Sequence, residues 1–179
     1  RTIAVGAEGE VYVGGFFRAG GFELQGHDFS GPEAGNSNSN GFLARFDSSG
    51  NPEWVQIMSG AEQQLVWSLA VAGNGDLLVL GGHNGPVDLD SDGTFDLKFG
   101  SMADRLGKHQ EDFNAFVARL TPKGERVWAR RYTAAVNHIG ADETRIVLSG
   151  SYSGMLDIDE DGKPERSADP DPELEGFAA

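Results

Sequence analysis

The sequence repeats itself, and that periodicity constrains the fold more than any single motif does. The run Ile3-Ala4-Val5-Gly6-Ala7-Glu8-Gly9-Glu10-Val11-Tyr12-Val13 matches Leu69-Ala70-Val71-Ala72-Gly73-Asn74-Gly75-Asp76-Leu77-Leu78-Val79, a shift of 66 positions. A weaker third copy runs from His138 to Val147, at a further offset of 68. A second block alternates with the first. Gly41-Phe42-Leu43-Ala44-Arg45-Phe46, followed by Gly50 and Trp54, matches Ala115-Phe116-Val117-Ala118-Arg119-Leu120, followed by Gly124 and Trp128. That block starts once more at Gly176-Phe177-Ala178-Ala179. The unit is therefore about 67 residues long, and the chain holds two full copies and part of a third.

Each unit reads as four short strands. In the second, Ser68 to Ala72 and Leu77 to Gly81 flank Gly73-Asn74-Gly75-Asp76, where glycine and asparagine tolerate the positive φ of a hairpin turn. Asn114 to Leu120 and Arg126 to Tyr132 flank Thr121-Pro122-Lys123-Gly124, with proline presetting φ at the second turn position. Phe116, Ala118 and Leu120 alternate with Val117 and Arg119, the period of a half-buried strand. Helix-period stretches are scarce, and 26 glycines are about twice the usual share. Four antiparallel strands per unit, repeated radially, form the blade of a β-propeller. The expectation is an all-β partial β-propeller of about two and a half four-stranded antiparallel blades: blade 1 over 1–60, blade 2 over 65–132 with an insertion at 100–112, and an incomplete blade 3 over 135–179. Closure needs about four to eight blades. The open ends should then be covered by a protein partner or by the remaining blades of a longer chain, since the chain begins at Arg1 without a methionine. Trp54 and Trp128 sit at equivalent places and are expected to pack between blades.

The pattern Gly75-Asp76-Leu77-Leu78-Val79-Leu80-Gly81-Gly82, with Asn114-Ala115-Phe116-Val117-Ala118-Arg119-Leu120, Gly124 and Trp128, resembles the bacterial secreted β-propeller repeat family. The resemblance spans nearly the whole chain. It implies one blade per unit and a large secreted or surface protein, and it says little about activity, because propellers host many unrelated roles.

The most chemical feature lies between the second and third strands of a unit. Asp88-Leu89-Asp90-Ser91-Asp92-Gly93-Thr94-Phe95-Asp96 and Asp157-Ile158-Asp159-Glu160-Asp161-Gly162-Lys163-Pro164-Glu165 share the spacing D-x-D-x-D-G-x-x-D/E. Calcium is a hard cation that takes six to eight oxygens, and alternating aspartates on a curling chain deliver them. The expected metal ligands are Asp88, Asp90, Asp92 and Asp96 with the Thr94 carbonyl, and Asp157, Asp159, Asp161 and Glu165 with the Lys163 carbonyl. The motif resembles an EF-hand loop, but Phe99 and Ala168 stand where the bidentate glutamate belongs, and no helices flank it. In the first unit the stretch Glu23-Leu24-Gln25-Gly26-His27-Asp28 has lost two carboxylates, so no calcium is expected there. A solvated acidic turn is the plain alternative, because Asp-Gly is a common turn dipeptide.

Lys plus Arg is 14 against 28 for Asp plus Glu, a formal net charge of −14, which argues against nucleic acid and anionic lipid as partners. There are no cysteines and no apolar run long enough to span a bilayer. His27, His83, His109 and His138 show no zinc spacing, and each reads as a surface or turn residue. No nucleophile elbow or phosphate loop is present, so no enzyme is expected. Asp47-Ser48-Ser49-Gly50 with Trp54 is similar to the tryptophan motif of quinoprotein propellers, but it is one residue short and lacks the threonine-glycine-lysine core. The expected function is a calcium-stabilised binding or scaffold module, extracellular or at the cell surface (the periplasm included). The alternative is a structural subunit that completes a larger assembly.

Overall fold

The computed structural model describes residues 1–18, 21–24, 26–29, 39–60, 63–97, 114–132, 135–142, 144–152, 155–156, 166–167 and 175–178. The expected second aspartate loop (Asp157, Asp159, Asp161, Lys163 and Glu165) and the insertion at 100–112 lie outside the described residues.

The described chain is all-β and antiparallel. It begins with β1 (Thr2–Val5), β2 (Val11–Arg18), a short hairpin of β3 (Phe22–Leu24) and β4 (His27–Phe29), then β5 (Ser39–Phe46) and β6 (Pro52–Ile57). Strands β1, β2, β5 and β6 form the first sheet in that order. The second sheet is a meander of β7 (Gln64–Val71), β8 (Leu77–His83), β9 (Asn114–Leu120) and β10 (Arg126–Tyr132). After it come β11 (Ala135–Ala141), β12 (Ile146–Tyr152), the short pair β13 (Met155–Leu156) and β14 (Arg166–Ser167), and β15 (Glu175–Ala178). The third sheet has the order β11-β12-β15.

Strands β9 and β10 match their expected bounds. Strand β7 starts four residues before the expected Ser68. Its register shifts between Val66 and Ser68, a β-bulge at Trp67 that breaks the two-residue alternation by which its first half would be recognised. The turns Gly6–Glu10, Asp47–Asn51, Ala72–Asp76 and Thr121–Glu125 are of one kind. Gly75 N–H donates to Ala72 O at 2.8 Å and Ala72 N–H to Asp76 O at 2.9 Å, with only Gly75 (φ +85°) left-handed, while Asn74 keeps a negative φ. This is the three-residue hairpin loop, a type I turn followed by a left-handed glycine, rather than a turn with two positive-φ residues. Thr121 to Glu125 closes the same way, with Pro122 at the second position and Gly124 at φ +87°.

The second sheet is covered on both faces. Leu77, Val79, Phe116, Ala118 and Leu120 pack toward Tyr12, Leu43 and Met58 of the first sheet and its following residue. Leu78, Leu80, Ala115 and Val117 pack toward Val136, Ile139 and Leu148 of the third. Successive strand residues point to opposite faces, so burial on both sides turns β8 into a run without polar alternation, buried from end to end. Trp54 packs against the first of these cores and Trp128 against the second. Trp54 Nε1–H also donates to Pro122 O at 2.9 Å, joining the first sheet to a turn of the second. Glycines let the layers approach. A Cβ on Gly14 of β2 would lie 2.7 Å from Val66 Cγ1 and 3.1 Å from Leu69 Cδ1 of β7.

Candidate metal centre

The segment Val87 to Leu97 leaves β8 and folds back on itself. Val87 and Leu97 form an isolated bridge, and Asp96 N–H donates to Val87 O at 2.9 Å. Val87, Leu89 and Leu97 are buried in the core between the first and second sheets, and they pin the loop from below. Asp88 pairs with Ser59 through both backbone groups, Asp88 N–H to Ser59 O at 3.0 Å and Ser59 N–H to Asp88 O at 3.1 Å. Two left-handed residues make the bend. Gly93 (φ +87°) adopts that conformation freely, whereas Ser91 (φ 60°) carries a Cβ there at a cost of about 1 kcal/mol. The Ser91 hydroxyl donates to Ile57 O at 2.9 Å, which holds this conformation against the first sheet.

This folding brings three of the expected ligands together. Asp88, Asp90 and Asp96 each place a carboxylate oxygen within 4.8 Å of the others. Asp88 is only 3% exposed and the Asp96 side chain 1%. Asp88 Oδ2 accepts from Gly93 N–H at 2.9 Å, and Asp90 Oδ2 from Arg126 N–H at 3.1 Å. Asp96 Oδ2 accepts from Leu89 N–H at 2.7 Å, and its Oδ1 is ion-paired with Arg126 Nε. The Oδ1 atoms of Asp88 and Asp90 are buried with no hydrogen-bond partner among the described residues. Burial pushes the Asp96 carboxyl above the ordinary aspartate range. The Asp90 charge adds to this rise, while the Leu89 N–H and the Arg126 guanidinium oppose it.

Asp92 is not one of this group, and Thr94 lies beside it in the loop. Both are exposed at the loop tip, where Asp92 Oδ1 accepts from Thr94 N–H at 2.7 Å. Between β2 and β5 the corresponding stretch is the β3–β4 hairpin, turned at Gly26 (φ +80°), whose N–H is taken by Glu23 Oε1 at 3.2 Å.

Sequence reasoning identified the aspartates but missed the neighbours that hold them. Gln56 Nε2–H donates to Gly124 O at 2.9 Å and approaches Asp90 O at 3.4 Å. Gln56 and Arg126 come from β6 and β10, so the loop fills the seam between two sheets. No local spacing links residue 56 to 90 to 126, and only the packing of the two sheets does. His83 is a correction of another kind. It is fully buried rather than a surface residue, with its ring against Phe116 and Nδ1 hydrogen-bonded to Gly85 O at 2.6 Å.

No protein-family model matches this sequence, and no curated protein matches it.

Proposed function

We propose that the chain is a calcium-braced β-propeller module, non-enzymatic, serving as a binding or scaffold unit of a secreted or cell-surface bacterial protein. The observation that carries the calcium reading is the pair of buried oxygens, Asp88 Oδ1 and Asp90 Oδ1, without a hydrogen-bond partner among the described residues, in a cluster of three carboxylates. Buried carboxylates repel one another, and leaving their oxygens unpaired is costly, so a cation of matching chemistry stabilises the group. All the available donors are hard oxygens, which suits calcium over thiophilic metals. The propeller reading rests on the recurrence of sequential antiparallel sheets at the period of the sequence repeat.

The calcium reading is tested by calorimetric titration with calcium, paired with thermal melts in calcium and in chelator. The expected result is binding, with a gain of about 1.4 kcal/mol when free calcium is tenfold above Kd. Asp88→Asn with Asp90→Asn should abolish both the heat and the shift. Absence of both the heat and the melting shift in the unaltered chain overturns the calcium reading.

A second reading, a subunit that completes a larger assembly, has its own observation. Ile3 and Val5 are 64% and 62% exposed on the first sheet. They match Leu69 and Val71, by which the second sheet packs on the first. Sedimentation over a concentration range tests it, with Ile3→Lys plus Val5→Lys expected to abolish association without lowering the melting temperature.

A further inference from the structure

Arg126 occupies a particular place in the aspartate loop. Asp96 has one oxygen committed to the Leu89 N–H, and its other oxygen is ion-paired with Arg126 Nε. The Asp96 side chain is 1% exposed, so its charge requires a counterion, and the guanidinium supplies it. The Arg126 side chain is itself 38% exposed, so it already borders solvent. Meanwhile the Arg126 backbone N–H is anchored on Asp90 Oδ2 at 3.1 Å, so the residue stays at the site whichever way its side chain turns.

We propose that Arg126 is a built-in counterion which competes with calcium for Asp96, so that calcium enters by displacing the guanidinium from Asp96 Oδ1. The inference rests on the calcium reading above. It makes the loop a two-state seam. Without the ion, Arg126 at the start of β10 neutralises one of three carboxylates. With the ion, Asp88, Asp90 and Asp96 turn to the metal, and the guanidinium points to water. A cation held a few ångströms from a divalent ion lowers its affinity, and keeping Arg126 there sets the site to respond at high calcium rather than at trace levels.

The test is calorimetric titration of calcium chloride into the calcium-stripped chain, in three forms: unaltered, Arg126→Gln and Arg126→Lys, each also melted in chelator. All three keep the backbone donor to Asp90. The expected result is that Arg126→Gln binds calcium on the order of tenfold more tightly and melts lower in chelator, while Arg126→Lys keeps the original affinity. If the unaltered chain binds and Arg126→Gln binds no tighter, or if Arg126→Lys tightens binding equally, the exchange is overturned and the calcium reading stands. If none of the three forms binds, both are overturned.

Discussion

At the scale of single residues, buried polar groups reveal most, because each needs a partner or a reason. Asp76 is buried in the first hairpin of the second sheet, and Arg119 Nε binds its Oδ2 at 2.6 Å. The arginine that recurs in the second sequence block thus pins the strand that carries it to the neighbouring hairpin. Arg119→Ala removes the ion pair, leaves that carboxylate its Asn74 contact and should cost about 1–2 kcal/mol in a chemical denaturation curve. His83 is the pH-sensitive member. Burial holds its ring below the ordinary histidine range, and the Arg131 charge adds to this, against the pull of the Gly85 carbonyl. The folded state therefore resists the proton that the unfolded chain accepts near pH 6.5. Stability is complete above that value and falls as the pH drops below it, by up to about 1.4 kcal/mol per pH unit. Melting temperatures from pH 7.5 to 5 should show this decline, and His83→Gln should flatten it.

At the scale of elements, the turns follow from composition and the aspartate loop does not. Asp47–Asn51, Ala72–Asp76 and Thr121–Glu125 all close with a glycine at the fourth position, at φ of +87°, +85° and +87°. Such a position is legible in sequence because only glycine adopts it without strain. Gly75→Ala has room for its methyl, the nearest atom being Pro122 Cγ at 3.7 Å, so its cost is backbone strain alone, about 1 kcal/mol. Gly124→Ala adds a clash, with Gln56 Nε2 at 2.5 Å, and should cost more. Comparing the two by denaturant midpoint separates strain from crowding at the seam between sheets. The bulge in β7 went unread for the opposite reason. It inserts one residue into an apolar run, and nothing about Trp67 alone marks the register shift there.

At the scale of the whole molecule, stability resides in two apolar interfaces that share the second sheet. Leu78 and Leu80 face the third sheet, Leu77 and Val79 the first, and all four are buried completely. Leu78→Ala and Leu77→Ala should each cost about 2–5 kcal/mol, with melts reporting a single transition if the three sheets unfold together. The first sheet's outer face is different. Ile3 and Val5 are exposed, so truncating them to alanine should change stability by no more than about 0.5 kcal/mol.

The sequence by itself determined the class of structure and the place of the candidate site. Strand period, turn glycines and the repeated blocks are local signals, written in residues that lie next to one another in the chain. It also marked Asp88, Asp90 and Asp96, because their spacing is short. Tertiary structure alone decided which aspartates converge and which stay at the tip, since that depends on Val87, Leu89 and Leu97 sinking into the core while Asp92 and Thr94 remain exposed. It alone placed Arg126 and Gln56 beside the loop and buried His83. These are contacts across strands far apart in sequence, and they are set by sheet packing rather than by any property of the neighbouring residues.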